Sequence, residues 1–187
     1  MLLLYAVPWG IAIVYLNYVA SCAATKRARA IPDQPLPDLL HDLLPQLDNH
    51  VPDYLLLLCV AYACALAVVH GTSVMARHNV DSLLACLTLR PIFLCLTSFP
   101  TCYQTGIRPD QETASLYTTL FLNKHDLMFS GHTCCFVFFG HVFGGALGWL
   151  ARFALPFSLV AARYHYTIDV VVAMMVYHIV YSCAQIS

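Results

Sequence analysis

Long apolar stretches separated by short polar segments run along the whole chain. A helix needs roughly 20 mostly apolar residues to cross the hydrocarbon core of a bilayer. Six windows approach or reach that length: residues 2–24, 54–76, 80–99, 127–150, 153–164 and 167–186. The fifth reaches it only if residues 149–152 belong to its first turn. The pattern therefore predicts an all-α integral membrane protein, a bundle of about six transmembrane helices that forms one domain over residues 1–187.

Two polar segments are long enough to be substantial loops. Residues 26–53 contain five prolines and five aspartates. Proline lacks a backbone donor and its ring clashes with the preceding helical turn, so this segment cannot be one continuous helix. We expect this proline-rich loop to lie in water or at the membrane interface. The second loop runs from residue 100 to about residue 124.

Composition narrows the class of protein further. Charged residues make up 10% of the chain, against about 25% in ordinary soluble domains, and the mean hydropathy is +0.70. The net charge of -1 provides no basic surface that would indicate nucleic-acid binding. The nine cysteines include no CxxC pair, and within a helical bundle cysteine acts as a small apolar residue. Lipid is therefore both the expected solvent and the expected substrate.

Charged residues that fall inside the apolar windows include Arg90, Arg163 and Asp169. Charge in hydrocarbon is costly, so each one is a hypothesis of function. Asp169 follows His165 by four residues, and on a helix the two side chains would share a face. A carboxylate bonded to one imidazole nitrogen makes the other a better nucleophile or base. By itself, the pair is equally compatible with a structural contact within a bundle.

A second candidate group begins the fourth window, at Ser130, Gly131 and His132. Backbone amides at a helix start attract anions, glycine allows a phosphate to approach closely, and the serine can donate a hydrogen bond. Arg90 could bind two phosphate oxygens at once through its planar guanidinium. The alternative for Arg90 is a side chain that extends to the lipid headgroups.

The remaining histidines form no HxxxH or HExxH pattern, so the sequence predicts neither a metal site nor a cofactor. His141 and His178 lie deep in the predicted fourth and sixth spans. We expect them to make hydrogen bonds between helices, as histidines in membrane bundles do.

The order of these motifs resembles the type 2 phosphatidic acid phosphatase (PAP2) superfamily. Four longer strings are similar to its sphingomyelin synthase branch, which also includes inositol phosphorylceramide synthases and plant phosphatidylcholine:diacylglycerol cholinephosphotransferases. The strings are PLPDLLHDLLP at 35–45, LRPIFLCLTSFP at 89–100, DLMFSGHT at 126–133 and HYTIDVVVA at 165–173.

The departures from the phosphatases of that superfamily also carry information. The resemblance places Leu83 and Leu159 where those phosphatases have a lysine and an arginine, and Phe129 where they have a proline. Fewer phosphate-binding cations fit a phosphodiester, which carries one negative charge instead of nearly two. Headgroup transfer is therefore favoured over monoester hydrolysis.

The resemblance implies a lipid phosphotransferase that works through a phosphohistidine. His165, held by Asp169, would be the nucleophile, and His132 would be the acid and base. A phospholipid would be the donor, and ceramide or diacylglycerol the acceptor, without metal or cofactor. The implied substrate-binding residues are Arg90, Ser130, Gly131 and Arg163.

The resemblance also implies a multi-pass protein of the Golgi, the endoplasmic reticulum or the plasma membrane, with its site facing the lumen or the exterior. Five Lys and Arg residues flank the site side and two flank the other, which by the positive-inside rule argues for the opposite orientation. Two alternative functions remain open. One is a lipid phosphate phosphatase that uses water as acceptor, and the other is a non-catalytic membrane protein that binds lipid.

Overall fold

The computed structural model describes residues 2–28, 34–71, 77–100 and 128–186, and within these ranges the chain is helical without any strand. The predicted all-α class is confirmed. The helices are α1 (Leu2–Ala28), α2 (Leu39–Leu43), α3 (Val51–His70), α4 (Arg77–Leu96), α5 (Gly131–Phe143), α6 (Gly145–Trp149), α7 (Pro156–Ala161) and α8 (Thr167–Ile186), with a π-helical turn at Leu150–Ala154 between α6 and α7.

Four of the described helices are long and apolar enough to cross a membrane: the Val7–Arg27 part of α1, and all of α3, α4 and α8. Their outward faces carry large apolar side chains, among them Val68, which is 86% exposed. In water such a surface would drive association, whereas lipid accommodates it. The prediction of a multi-pass membrane protein is thus confirmed by four spans, and α8 has the bounds of the predicted sixth window.

The predicted boundary near residue 150 between the fourth and fifth spans was wrong. The chain breaks at Gly144, which ends α5 with a φ of +65°, and it turns back at Gly145 with a φ of +52°. Two shorter apolar helical segments result, Gly131–Phe143 and Gly145–Ala161. Hydropathy could not locate the break because the residues on both sides of it are apolar, whereas two adjacent glycines permit the left-handed turn.

Helix α5 forms the centre of the core and packs against α3, α4, α7 and α8. Most of its residues are buried, including Phe136 and Val137, which have no exposed surface. After the turn at Gly144, α6 returns along α5 at very close range. A Cβ atom on Gly140 would lie 2.6 Å from the backbone oxygen of Gly148, and one on Gly148 would collide with the backbone oxygen of Gly140.

The proline-rich loop and Pro91 also differ in part from expectation. The loop is not one continuous helix, as predicted, but it contains the short helix α2, whose first turn is capped by Asp38. A proline inside a helix ordinarily kinks or ends it, yet α4 continues past Pro91 to Leu96.

The close packing of α5 on α6 predicts that Gly148→Ala destabilises the protein. The added methyl group meets a backbone oxygen, which no rotamer change can move, so we expect a loss of about 1–3 kcal/mol. The measurement is the thermal unfolding temperature of detergent-solubilised protein. The matched control is Gly10→Ala, because Gly10 faces open space within α1. Equal unfolding temperatures for the two variants would contradict the packing.

Candidate active site

His165 and Asp169 meet at the start of α8. The spacing had suggested that the two residues share a helical face. The helix begins only at Thr167, however, so His165 lies just before it. The Nδ1 atom of His165 nevertheless lies 3.4 Å from Oδ2 of Asp169. The same carboxylate oxygen accepts a hydrogen bond of 2.9 Å from the backbone N–H of Tyr166. Asp169 therefore stabilises the first turn of α8 and faces the imidazole at the same time.

The two side chains lie close together without an aligned hydrogen bond. Among the described residues, neither Nδ1 of His165 nor Oδ1 of Asp169 has a hydrogen-bond partner. Asp169 is fully buried and His165 is 7% exposed. Hydrogen bonds between catalytic groups are often long before substrate binds and shorten in the complex. The arrangement leaves Nε2 of His165 as the nitrogen that is not directed at Asp169.

His132 has a carboxylate partner that the sequence did not indicate. Its Nε2 atom lies 3.1 Å from Oδ1 of Asp53, which belongs to the first turn of α3. The other oxygen of Asp53 accepts a hydrogen bond of 3.2 Å from the hydroxyl of Tyr164. The rings of Tyr164 and His132 are 6.4 Å apart, and Tyr164 precedes His165 by one residue. Asp53 therefore connects α3, the start of α5 and the segment that carries His165.

Ser130 and Gly131 form the start of α5, and Arg90 lies beside them. The hydroxyl oxygen of Ser130 accepts the backbone N–H of Thr133, so this buried serine is the N-cap of the helix. Nε of Arg90 donates to the carbonyl oxygen of Phe129 at 3.0 Å. A Cβ atom on residue 131 would lie 3.4 Å from Nε of Arg90. The guanidinium therefore packs directly against the start of α5.

Arg163 is engaged by backbone carbonyls. Its residue has a left-handed backbone conformation, with a φ of 61°. The guanidinium donates to carbonyl oxygens at the end of α7 and to those of His41 and Leu44 in and after α2. This arrangement fastens α2 to the segment before α8. It favours a structural role for Arg163 over the predicted contact with phosphate.

The short helix α2 holds the backbone around His165 from the side of the proline-rich loop. Asp38 accepts two hydrogen bonds of 2.6 Å from Thr167, one from the backbone N–H and one from the hydroxyl. Nε2 of His41 lies 3.1 Å from the backbone oxygen of His165. The hydroxyl of Tyr166 accepts the N–H of Leu36. The residues on both sides of His165 are therefore bound to the loop.

Partial burial and hydrogen bonding have opposite effects on the pKa of the Asp38 carboxyl. Burial alone raises its pKa, but the hydrogen bonds from Thr167 and the charge of His41 lower it, and the result is a pKa below the usual value. The negative charge of Asp38 is thus stabilised in the folded protein.

Sequence reasoning missed Asp53, Asp38 and His41 as parts of the site. Asp38 and His41 lie in the PLPDLLHDLLP string, but that string carried no assigned role. An aspartate in the first turn of an apolar helix, such as Asp53, is ordinarily explained by the helix dipole. Aromatic rings can recognise a cationic headgroup, which makes tyrosines near the motifs candidates for headgroup recognition. Tyr164 and Tyr166 lie at the site, whereas Tyr103 and Tyr117 lie outside the described residues.

His141 and His178 lie in a separate cluster and contact aromatic rings. His141 stacks on Tyr181 with 3.8 Å between the ring centroids, and His178 stacks on Phe153 at 5.8 Å. In the described part of the chain, the Nε2 atoms of these two histidines have no hydrogen-bond partner. The expected hydrogen bonds between helices are therefore not made through these atoms.

Neither known family models nor curated protein sequences match this chain. Over residues 2–28, 34–71, 77–100 and 128–186, no group of three or more His, Cys, Asp or Glu side chains is placed to hold a metal ion.

The hydrogen bonds of Asp38 predict that Asp38→Asn lowers the unfolding temperature at pH 7. A carboxyl whose folded pKa is lowered stabilises the fold fully above its unfolded pKa of about 3.9, and this contribution is lost as the pH falls through the lower folded pKa. The difference between wild type and Asp38→Asn should therefore be present from pH 7 to about pH 5 and should shrink towards pH 2. Unfolding temperatures in detergent over this range provide the measurement.

Asp42→Asn is the control for this experiment, since it removes the same charge from an exposed position of the same helix. If Asp42→Asn were as destabilising as Asp38→Asn, the contact with Thr167 would not be the cause.

Proposed function

We propose that this protein is a lipid phosphotransferase with a PAP2-like fold of six membrane spans. It moves an alcohol-phosphate headgroup from a phospholipid to ceramide or diacylglycerol through a phosphohistidine at His165. The observation that carries the proposal is a pair of histidine–carboxylate contacts, His165 with Asp169 and His132 with Asp53, at helix starts of a multi-pass membrane protein. The motif order that resembles the sphingomyelin synthase branch supports the same conclusion.

The first half-reaction transfers the headgroup phosphate to the enzyme. Nε2 of His165 attacks the phosphorus and forms a P–N bond, while the P–O bond to the diacylglycerol oxygen breaks. The electron pair of that bond goes to the leaving oxygen, which takes a proton from His132. Asp169, next to Nδ1 of His165, stabilises the positive charge that develops on the ring.

The second half-reaction returns the headgroup phosphate to lipid. His132, now neutral, accepts the proton of the acceptor hydroxyl, and the acceptor oxygen attacks the phosphorus. The P–N bond breaks and its electron pair returns to His165. The contact with Asp53 stabilises His132 whenever it carries the proton, so the histidine can donate in one half-reaction and accept in the other.

Stabilisation of the phosphate charge falls to Arg90 and to the backbone amides at the start of α5. Arg90 lies beside Gly131, at a helix N-terminus whose dipole favours anions. Electrostatic stabilisation of this kind dominates phosphoryl transfer. Arg163 has no part in the mechanism, because its guanidinium is bound to backbone carbonyls.

The expected substrate is a diester with a single negative charge. Leu159 is fully buried in the core, and Leu83 packs against the core. Neither position therefore supplies a cation to the phosphate. A lipid phosphate phosphatase would use the same histidines with water as acceptor and would need to bind a more highly charged monoester. In the proposed assignment the site faces the lumen or the cell exterior, in a Golgi, endoplasmic reticulum or plasma membrane.

We expect membranes that contain the protein to convert fluorescent ceramide or fluorescent diacylglycerol into a phosphodiester lipid. Donor phospholipid should suffice, without ATP, a nucleotide-activated headgroup or a divalent metal ion. The two acceptors are supplied in parallel and the lipid products are separated by chromatography. If the protein released phosphate from phosphatidic acid faster than it transferred a headgroup between lipids, it would be a lipid phosphate phosphatase and the proposal would be wrong.

Substitutions at the two histidines separate their proposed roles. His165→Ala should abolish the covalent phospho-enzyme, detected by intact-protein mass after brief reaction with donor lipid. His132→Ala retains the nucleophile but should lower turnover by roughly 10²- to 10⁴-fold, the usual effect of losing an acid–base group. Asp53→Asn should also lower turnover, because it removes the charge that stabilises protonated His132.

The control for these variants is His70→Gln, an exposed histidine at the opposite end of α3 from Asp53. Each variant is compared at equal amounts of folded protein in the membrane. Continued lipid turnover by well-folded His165→Ala protein would refute the phosphohistidine mechanism.

A further inference from the structure

Pro91 creates a gap in the hydrogen bonding of α4. Proline has no backbone N–H, so the carbonyl of the residue four positions earlier, Leu87, loses its partner within the helix. Hydrocarbon offers no replacement donor, and an unpaired carbonyl in a membrane span is costly. The helix nevertheless continues past Pro91 to Leu96.

The missing donor comes from Asn17 on α1. Its side-chain nitrogen donates to the Leu87 carbonyl at 3.0 Å and to the Ile13 carbonyl of its own helix at 2.9 Å. Its side-chain oxygen accepts a hydrogen bond of 2.7 Å from Nη1 of Arg90. Asn17 is 5% exposed, and its amide joins α1 to α4 at the point where Pro91 interrupts the helix.

Arg90 is thereby held from two directions. Asn17 binds Nη1, and the Phe129 carbonyl accepts from Nε at the start of α5. These two contacts hold Nη1 and Nε of the guanidinium in place beside Gly131. The Asn17 amide is neutral, so this contact orients the guanidinium without neutralising its charge.

We propose that Asn17 is a positioning residue that orients Arg90 towards the phosphate of the lipid diester. The inference rests on the proposed function and adds the first span to the site. Repair of the helix at Pro91 explains only the contact with Leu87. The contact with Arg90 belongs to the proposed phosphate site. The role of Asn17 in helix repair and its role in positioning Arg90 can therefore be tested separately.

Pro91→Ala separates repair from positioning. It restores an N–H at residue 91, so the Leu87 carbonyl regains a partner within α4 and no longer needs Asn17. Asn17→Leu removes the hydrogen bonds of the amide to Leu87, Ile13 and Arg90 and keeps the branched shape of the side chain. We compare wild type, Pro91→Ala, Asn17→Leu and the double variant in unfolding temperature and in kcat and KM for headgroup transfer.

Asn17→Leu should lower both the unfolding temperature and the turnover. Introducing Pro91→Ala into this variant should recover most of the unfolding temperature, because the Leu87 carbonyl is paired again. Turnover by the double variant should stay at least about tenfold below that of Pro91→Ala alone, since Arg90 still lacks its partner. Equal turnover by the double variant and Pro91→Ala would overturn the proposal. The role of Asn17 would then be limited to pairing the Leu87 carbonyl.

A second comparison tests whether Asn17 acts through Arg90. In an Arg90→Lys background the guanidinium is already lost, so adding Asn17→Leu should change kcat/KM by less than about twofold. An undiminished effect of Asn17→Leu in that background would also overturn the proposal. Wild-type protein that transfers no headgroup to ceramide or diacylglycerol would refute the proposed function and the positioning role together, whereas the two comparisons above refute the positioning role alone.

Discussion

Backbone carbonyls that lose their helical partner near the hydrocarbon region need a donor from the protein, because lipid supplies none. Among the described residues, Arg27, Arg163 and Asn17 meet this need. Arg27 on α1 donates to the carbonyls of Leu94 and Cys95 at the end of α4, Arg163 donates to the ends of α7 and α2, and Asn17 donates to Leu87 within α4. These side chains also join separate segments of the chain. The same hydrogen bonds therefore pair the free carbonyls and hold the bundle together.

The candidate site forms where the proline-rich loop meets the starts of α3, α5 and α8. Asp38 at the start of α2 binds Thr167, and Asp53 at the start of α3 binds His132. Residues near the membrane interface can keep their charge there at lower cost than residues at the bilayer centre. The loop therefore supplies part of the support for both histidines, in addition to connecting two spans.

Much of the fold and of the site could be predicted from local pattern. The length of apolar stretches identified the four spanning helices, and the bounds of α8 agreed with the predicted window. The cost of charge in hydrocarbon singled out Arg90 and Asp169, and the short spacing between His165 and Asp169 predicted their contact. The Ser130-Gly131 pair predicted a helix start, and Ser130 is the N-cap of α5. These features depend on neighbours within a few residues.

Tertiary structure alone decided which distant residues meet. Asp53 and His132 are 79 positions apart, and Asn17 and Arg90 are 73 positions apart. No periodicity relates such pairs, since their contact depends on how helices pack and at what height each one begins. The break at Gly144 was hidden because the apolar pattern continues across it. Local sequence determined the helices and the candidate groups, and packing determined their partners, because only packing brings separate helix ends to the same depth in the membrane.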